Sequence, residues 1–455
     1  MAHELPYNQK EKKTTEPSKR RSMKQNVTRA AAIAATALLL AWPAHAGAAE
    51  NELTLEKTIQ LVRQNNPALK AAAEEINAAD ARVRKSRSAW FPQLSAEAGY
   101  TYLDPVSEVP LFGKFMPNNN YEAKVKARAT LFDFGKRRES VDLALTGRKT
   151  AETSLELSRR ELSFQTVQLF YGILFLRESL QVEDKEIAAL NKARDFTAKR
   201  YQSGAATRFD LLSTEVRISA AQSRMLDLKH SLQHSELTLR RLAGIAVGAH
   251  LSLQGSLAVT PASQEPSGLA AQAMQKRLEL EISRDQESAA RARHAIASKE
   301  GAPVVTATAS WGTTNGMMPD ITVMRNNFAG GLHLEVPIFT GFRNSAERQE
   351  TKAMLNAAEE RRIDTEQQVR ADVEEAIDAR RTASAKIAST EMQVKQAALA
   401  AEHARARYSN GMATTLDLLS TEASLSQAEL SRLQASYEYV MNDYMLKRVT
   451  GEVFW

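Results

Sequence analysis

The sequence predicts a mostly α-helical fold with a small β part, built by internal duplication of long helical hairpins and carrying four strands per chain. Three observations predict it. One stretch is written twice: Tyr201 to Glu215 and Tyr408 to Glu422 match at ten of fifteen positions with a constant offset of 207. Two proline-free runs, Lys136 to Gln202 and Arg343 to Tyr408, lead into the two copies. Four short segments alternate apolar and polar residues with a period of two.

The amino terminus has the pattern of a secretory signal over residues 1–46. Lys24 and Arg29 precede a thirteen-residue apolar core, Ala30 to Trp42, and Pro43-Ala-His-Ala46 offers a cleavage site. That core is shorter than the roughly 20 residues a spanning helix needs. Met23 is a candidate start, and the mature chain is expected to begin near Gly47. The formal charge of +6 sits in this leader: beyond residue 46 there are 52 basic and 51 acidic residues. Net charge therefore gives no support to nucleic-acid binding. With no cysteine in the chain, disulfides, thiol catalysis and an N-terminal lipid anchor are excluded.

Thr54 to Ser88 reads as helix interrupted by Pro67. In the first β-hairpin, Leu94, Ala96, Ala98, Tyr100 and Tyr102 alternate with polar residues, and after a loop Tyr121, Ala123, Val125, Ala127, Ala129 and Leu131 do the same. Glu122, Lys124, Lys126, Arg128 and Thr130 take the opposite face. In the second hairpin, Val305 to Trp311 and Phe328 to Ile338 repeat the pattern. Strands of about 9–11 residues with one apolar face have the size of transmembrane barrel strands. Four strands cannot close a barrel and open edges are not tolerated in lipid, so an oligomer must pool them.

Each long run carries helix for roughly 100 Å. Leu155, Leu162, Leu169 and Leu176, with Ile173, Leu180 and Ile187, have the stagger of a coiled-coil seam. In each duplicated stretch, Gly204 or Gly411 ends a helix, Thr207 or Thr414 caps the next, and Asp210 or Asp417 completes a capping box. Return helices are expected from about Phe209 to Leu242 and from Leu416 to Val449. The break from Gly244 to Gly268 is expected to pack as a collar beside the helices. The domains divide as a first repeat over 47–245, a linker over 246–275 and a second repeat over 276–455.

Signal, paired strands, long helix, Gly-x5-Asp tip and return helix, made twice, resemble the TolC-like outer-membrane efflux protein family (outer membrane factors). The two tips carry the resemblance, with Ala89-Trp-Phe-Pro92 before the first strand and the Phe-x-x-Gly135 and Phe-x-Gly341 closures of the hairpins. The resemblance implies a homotrimer whose strands form one twelve-stranded barrel in outer-membrane lipid, with the helices forming an α-barrel across the periplasm. It implies a passive exit duct of a tripartite efflux or type I secretion system, coupled to an inner-membrane pump through a periplasmic adaptor. By position, Asp210, Tyr408 and Asp417 fall at the periplasmic gate. Gly204, Ala205, Thr207, Gly411, Met412 and Thr414 fall at the adaptor-contacting tips. Two positions depart from the pattern: Ser420 stands where some members carry a second acid, and Ala413 where a tip arginine is found. Arg208 is a candidate compensating charge.

Other groups read more simply. His230 and His234 are spaced i, i+4 without an adjacent third ligand and read as an exposed helix face. Met317, Met318 and Met324 read as loop residues, and Tyr437, Tyr439 and Tyr444 as helix packing. No phosphate-cradling loop, HExxH or GxSxG is present, so no enzyme activity, cofactor or metal is expected. The competing function is a secreted or periplasmic coiled-coil scaffold or adhesin without a pore.

Overall fold

Local capping chemistry sets where each helix starts. In the computed structural model, which describes residues 53–109, 113–248, 250–258, 260 and 268–454, helix α1 spans Leu55–Asn65 and α2 spans Pro67–Ser88. The expected Thr54–Ser88 helix is thus two helices. Asn66 is held extended (φ −63°, ψ 123°), because a residue before proline is excluded from the helical region, and its side chain then caps Ala68. The expected leader, residues 1–46, lies outside the described residues.

Strand β1 (Gln93–Tyr102) is followed by a two-residue ribbon, β2 (Glu108–Val109) with β3 (Gly113–Lys114), and by β4 (Asn119–Phe132). Helix α3 then runs over Lys136–Gln202, 67 residues, and α4 returns over Arg208–Ala243. Then follow α5 (Leu269–Lys276), α6 (Leu278–Ser298), β5 (Val304–Thr314), β6 (Arg325–Glu335), α7 (Arg343–Ser409, 67 residues) and α8 (Thr415–Val449). Strand β6 stops at Glu335, short of the expected Ile338, because Pro337 has no N–H for the ladder.

The four long strands form one antiparallel sheet in the order β1-β4-β5-β6. Its register keeps like with like: Val125 faces Ala96 and Trp311, while Trp311 faces Phe328. One face therefore displays Leu94, Tyr100, Tyr121, Val125, Trp311, Phe328 and Leu332, all exposed. The other displays Glu97, Lys124, Lys126, Arg128, Thr308 and His333.

Helix α3 packs between α4 and α8 and, toward the sheet, between α2 and α6; α7 completes the layer against α8 and α6. The coiled-coil seam is one part of this wider packing. Leu155 and Ile173 are buried, but Leu162, Leu169, Leu176, Leu180 and Ile187 are only half-buried. A helix with neighbours on two sides buries residues off the heptad as well, here Phe164, Val167, Phe170, Leu174, Val182 and Leu190. The collar segment packs against α3: Leu251, Leu253 and Leu257 join Phe170 and Ile173 in the largest core, and Leu53 pairs with Leu253 as a parallel bridge.

The duplication also sets the joints at the helix ends. Asn65 and Asn66 each donate to the carbonyls ending α4 (Ala243 and Leu242, both 3.2 Å), which ties the joint between α1 and α2 to the end of α4. Gly244 lies at that joint, and Gly451, at the same offset of 207, lies at its counterpart. A Cβ would lie 2.8 Å from Asn65 at the first and 2.7 Å from Lys276 at the second.

Candidate functional site at the helical tips

Both tips reverse the chain through a left-handed glycine, Gly204 (φ 77°) and Gly411 (φ 73°), a conformation other residues adopt at a cost. Backbone bonds from Ala205 to Arg200 (2.7 Å) and from Met412 to Arg407 (2.9 Å) close the turns. Gly204, Ala205, Gly411 and Met412 are exposed at the ends of the hairpins.

Each new helix then starts on a reciprocal cap. The Asp210 carboxylate accepts from the Thr207 amide (2.9 Å) and hydroxyl (2.6 Å), while Thr207 Oγ1 accepts from the Asp210 amide (3.2 Å). Thr414 and Asp417 repeat this at 2.9, 2.7 and 3.1 Å. The Thr207 hydroxyl, and then its amide, hold the Asp210 carboxyl below the usual range, with smaller contributions from Thr415 and the charge of Arg200. The Thr414 amide, then its hydroxyl, do the same for Asp417, which lies near Arg407.

Tyr408 is 3% exposed. Its phenol oxygen lies 2.7 Å from Thr197 Oγ1 on α3 and 3.2 Å from Thr415 Oγ1 on α8. Its ring packs on Phe196 (5.2 Å between centroids) beneath the Arg200 guanidinium, among Leu190, Ala193 and Leu418. Tyr408 thus bridges Thr197 and Thr415, joining the two repeats at the tip. Asp417 stands apart on its own exposed cap. The charge that bears on Asp210 is that of Arg200.

Thr197, Thr415, Arg200 and the Arg405–Glu422 pair escaped sequence reasoning. Glu422 is buried and takes two bonds from the Arg405 guanidinium, one of them at 2.6 Å from Nη2, whereas its duplicate Glu215 is exposed. The readable signal was a difference between the copies: Arg405 aligns with Ala198, so only the second copy has a cation there.

At the other end, the change from strand to helix is pinned by an ion pair. The Asp133 carboxylate accepts from the Gly135 amide (3.2 Å), the Arg137 amide (3.0 Å) and Arg137 Nε (2.9 Å). The same guanidinium donates to the carbonyls of Thr130 (2.7 Å), Leu131 (3.3 Å) and Ala89 (3.2 Å), and lies over the Trp90 ring. Trp90, Phe91, Phe132, Phe134, Phe339 and Phe342 are all exposed around these turns. Such a girdle marks where a lipid-facing sheet meets the interface. Among the described residues no helix is long and apolar enough to cross a membrane, and none of their His, Asp and Glu side chains group as a metal site.

An apolar-faced sheet ending in an aromatic girdle, carried on helices about 100 Å long, defines a subunit of an outer-membrane exit channel. The chain matches the outer membrane efflux protein family over residues 58–245 and 269–452, and belongs to it. It is 24% identical over 433 residues to the outer membrane efflux protein BepC of Brucella suis, covering 92% of this chain and 90% of that protein. To outer membrane protein TolC of Escherichia coli it is 23% identical over 418 residues, covering 87% and 82%. The crystal structure of VceC from Vibrio cholerae superposes with a TM-score of 0.75 at 21% identity, covering 88% of this chain and 96% of that one. The protein resides in the outer membrane and extends into the periplasm.

Proposed function

We propose that three copies assemble into a passive exit duct of a tripartite efflux or type I secretion system, coupled through a periplasmic adaptor to an inner-membrane pump. The observation that carries this reading is the sheet: its apolar face is exposed, and among the described residues its outer strands β1 and β6 each leave one edge unpaired. Three copies would pool twelve strands into one closed barrel. The helical layer also has two free edges that suit a second copy. Phe209, Leu212, Val216 and Leu226 are exposed on α4, and Ile363, Met392 and Leu399 on α7.

In this reading Asp210 and Tyr408 tie the two repeats together at the closed tip, and Asp417 places an acidic ring at the constriction. The exposed turns, Gly204-Ala205 and Gly411-Met412, with their caps Thr207 and Thr414, meet the adaptor. The test is fractionation of cells expressing the chain, alkaline washing of their outer membranes and light scattering of the detergent extract. A wash-resistant species of three times the chain mass is expected. A wash-released monomer or dimer would replace the duct with the scaffold reading.

A further inference from the structure

Among the described residues, Arg128 on the polar face of the sheet stands without an acidic partner. Lys126 pairs with Glu97, and Lys124 with Glu122 at 2.6 Å. Arg128 makes no ion pair among the described residues, although it lies two positions from Lys126 on the same face. Its rung across the sheet reads Gln93, Arg128, Thr308, Gly331. The next rung toward the helices reads Thr130, Thr306, His333, and His333 Nε2 lies 2.9 Å from Thr308 Oγ1. Neither rung holds a carboxylate. The Arg128 rung and His333 border a trough of about 730 Å³, where Gly331 brings no side chain and the Glu97 carboxylate is taken up by Lys126.

A guanidinium among hydroxyl, amide and imidazole groups, with the nearby Glu97 carboxylate already held by Lys126, is a donor set for oxyanions. We propose that Arg128 binds phosphate- or carboxylate-bearing solutes, and that its three copies form an anion-recruiting ring at the helix-proximal end of the barrel. The inference rests on the trimeric duct reading, which brings three Arg128 side chains to one height. Its sign is opposite to that of the tip carboxylates, so the two ends of the duct sort solutes differently.

The probe is inorganic triphosphate added to the full-length protein in a planar bilayer, on the side facing the sheet loops. Wild-type current is expected to be blocked from that side and not from the tip side. Arg128→Gln should weaken the block by about tenfold or more, and Arg128→Lys, which keeps the charge, should retain most of it. A conducting wild type that is not blocked, or an Arg128→Gln channel blocked as strongly as wild type, overturns the ring. A wild type that forms no channel sinks the duct reading, and the ring with it.

Discussion

The phenol of Tyr408, at the end of the long second-repeat helix, lies 2.7 Å from the hydroxyl of Thr197 in the first-repeat helix, and both side chains are buried. This contact between repeats sits within a few residues of both tip turns. Replacing Tyr408 with Phe keeps the ring on Phe196 but leaves the buried Thr197 and Thr415 hydroxyls short of a partner. The cost should be about 1–3 kcal/mol per site, borne at the tip. Single-channel recording should show a larger or more frequently open conductance. Adding Thr197→Val removes the stranded hydroxyl, so the double variant should be less perturbed than the sum of the singles. Strict additivity would mean the two hydroxyls are not coupled.

The two capping carboxylates give the tip a defined response to pH. Both are held below the ordinary carboxylate range, so the folded tip prefers their ionised form. Their contribution is complete above the unfolded value of about 3.9, and is lost as pH falls through the lower folded value. Conductance should be flat between about pH 7 and 5 and rise only below about 4. Asp210→Asn with Asp417→Asn should already leak large solutes at neutral pH and show no such acid step. Normal leakage from a variant present at wild-type levels would reduce both acids to helix caps.

Much of this architecture was legible because it is periodic. The alternation at Tyr121–Leu131 gave the sheet face, and the gapless repeat at Tyr201–Glu215 gave the turn, cap and return helix, all of which follow from neighbouring residues. What escaped depends on residues far apart in the chain. Thr197 is an unremarked threonine on a helix until Tyr408 arrives from 211 positions away. The heptad at Leu155, Leu162 and Leu169 suggested one seam because a linear pattern does not reveal that α3 has neighbours on both sides. Glu215 and Glu422 look equivalent within the repeated stretch, yet only Glu422 is buried, because its partner Arg405 lies outside that stretch and has Ala198 as its counterpart in the first copy.

The strand-to-helix junction should be sensitive to charge. Asp133 and the Arg137 side chain are both largely buried and meet at 2.9 Å. Arg137→Ala leaves the Asp133 carboxylate without its cation and three carbonyls without a donor, a loss of about 3–5 kcal/mol for a broken buried pair. The expected result is fewer heat-resistant oligomers on a semi-native gel. Arg137→Lys should recover only part of the loss, since an ammonium cannot reproduce the planar fork that reaches Asp133 and the carbonyls of Thr130 and Leu131 together.

Two glycines on the same polar face should behave oppositely. Gly312 lies opposite Lys124 in the ladder, and a Cβ there would sit 2.2 Å from the Ala123 carbonyl oxygen and 2.4 Å from Lys124 Cα, both backbone atoms. Backbone cannot swing aside as a side chain does, so Gly312→Ala must push β4 and β5 apart, at a cost of about 1–3 kcal/mol or more. Gly331, on the edge strand β6, offers a new methyl only an ordinary contact of 3.7 Å with the His333 ring. Its alanine variant should fall within about 0.5 kcal/mol of wild type. Thermal melting of detergent-solubilised oligomers distinguishes the two: Gly312→Ala should melt clearly lower and Gly331→Ala should superimpose on wild type. Equal melting of both variants would mean that β4 and β5 are not in the close register that Gly312 permits.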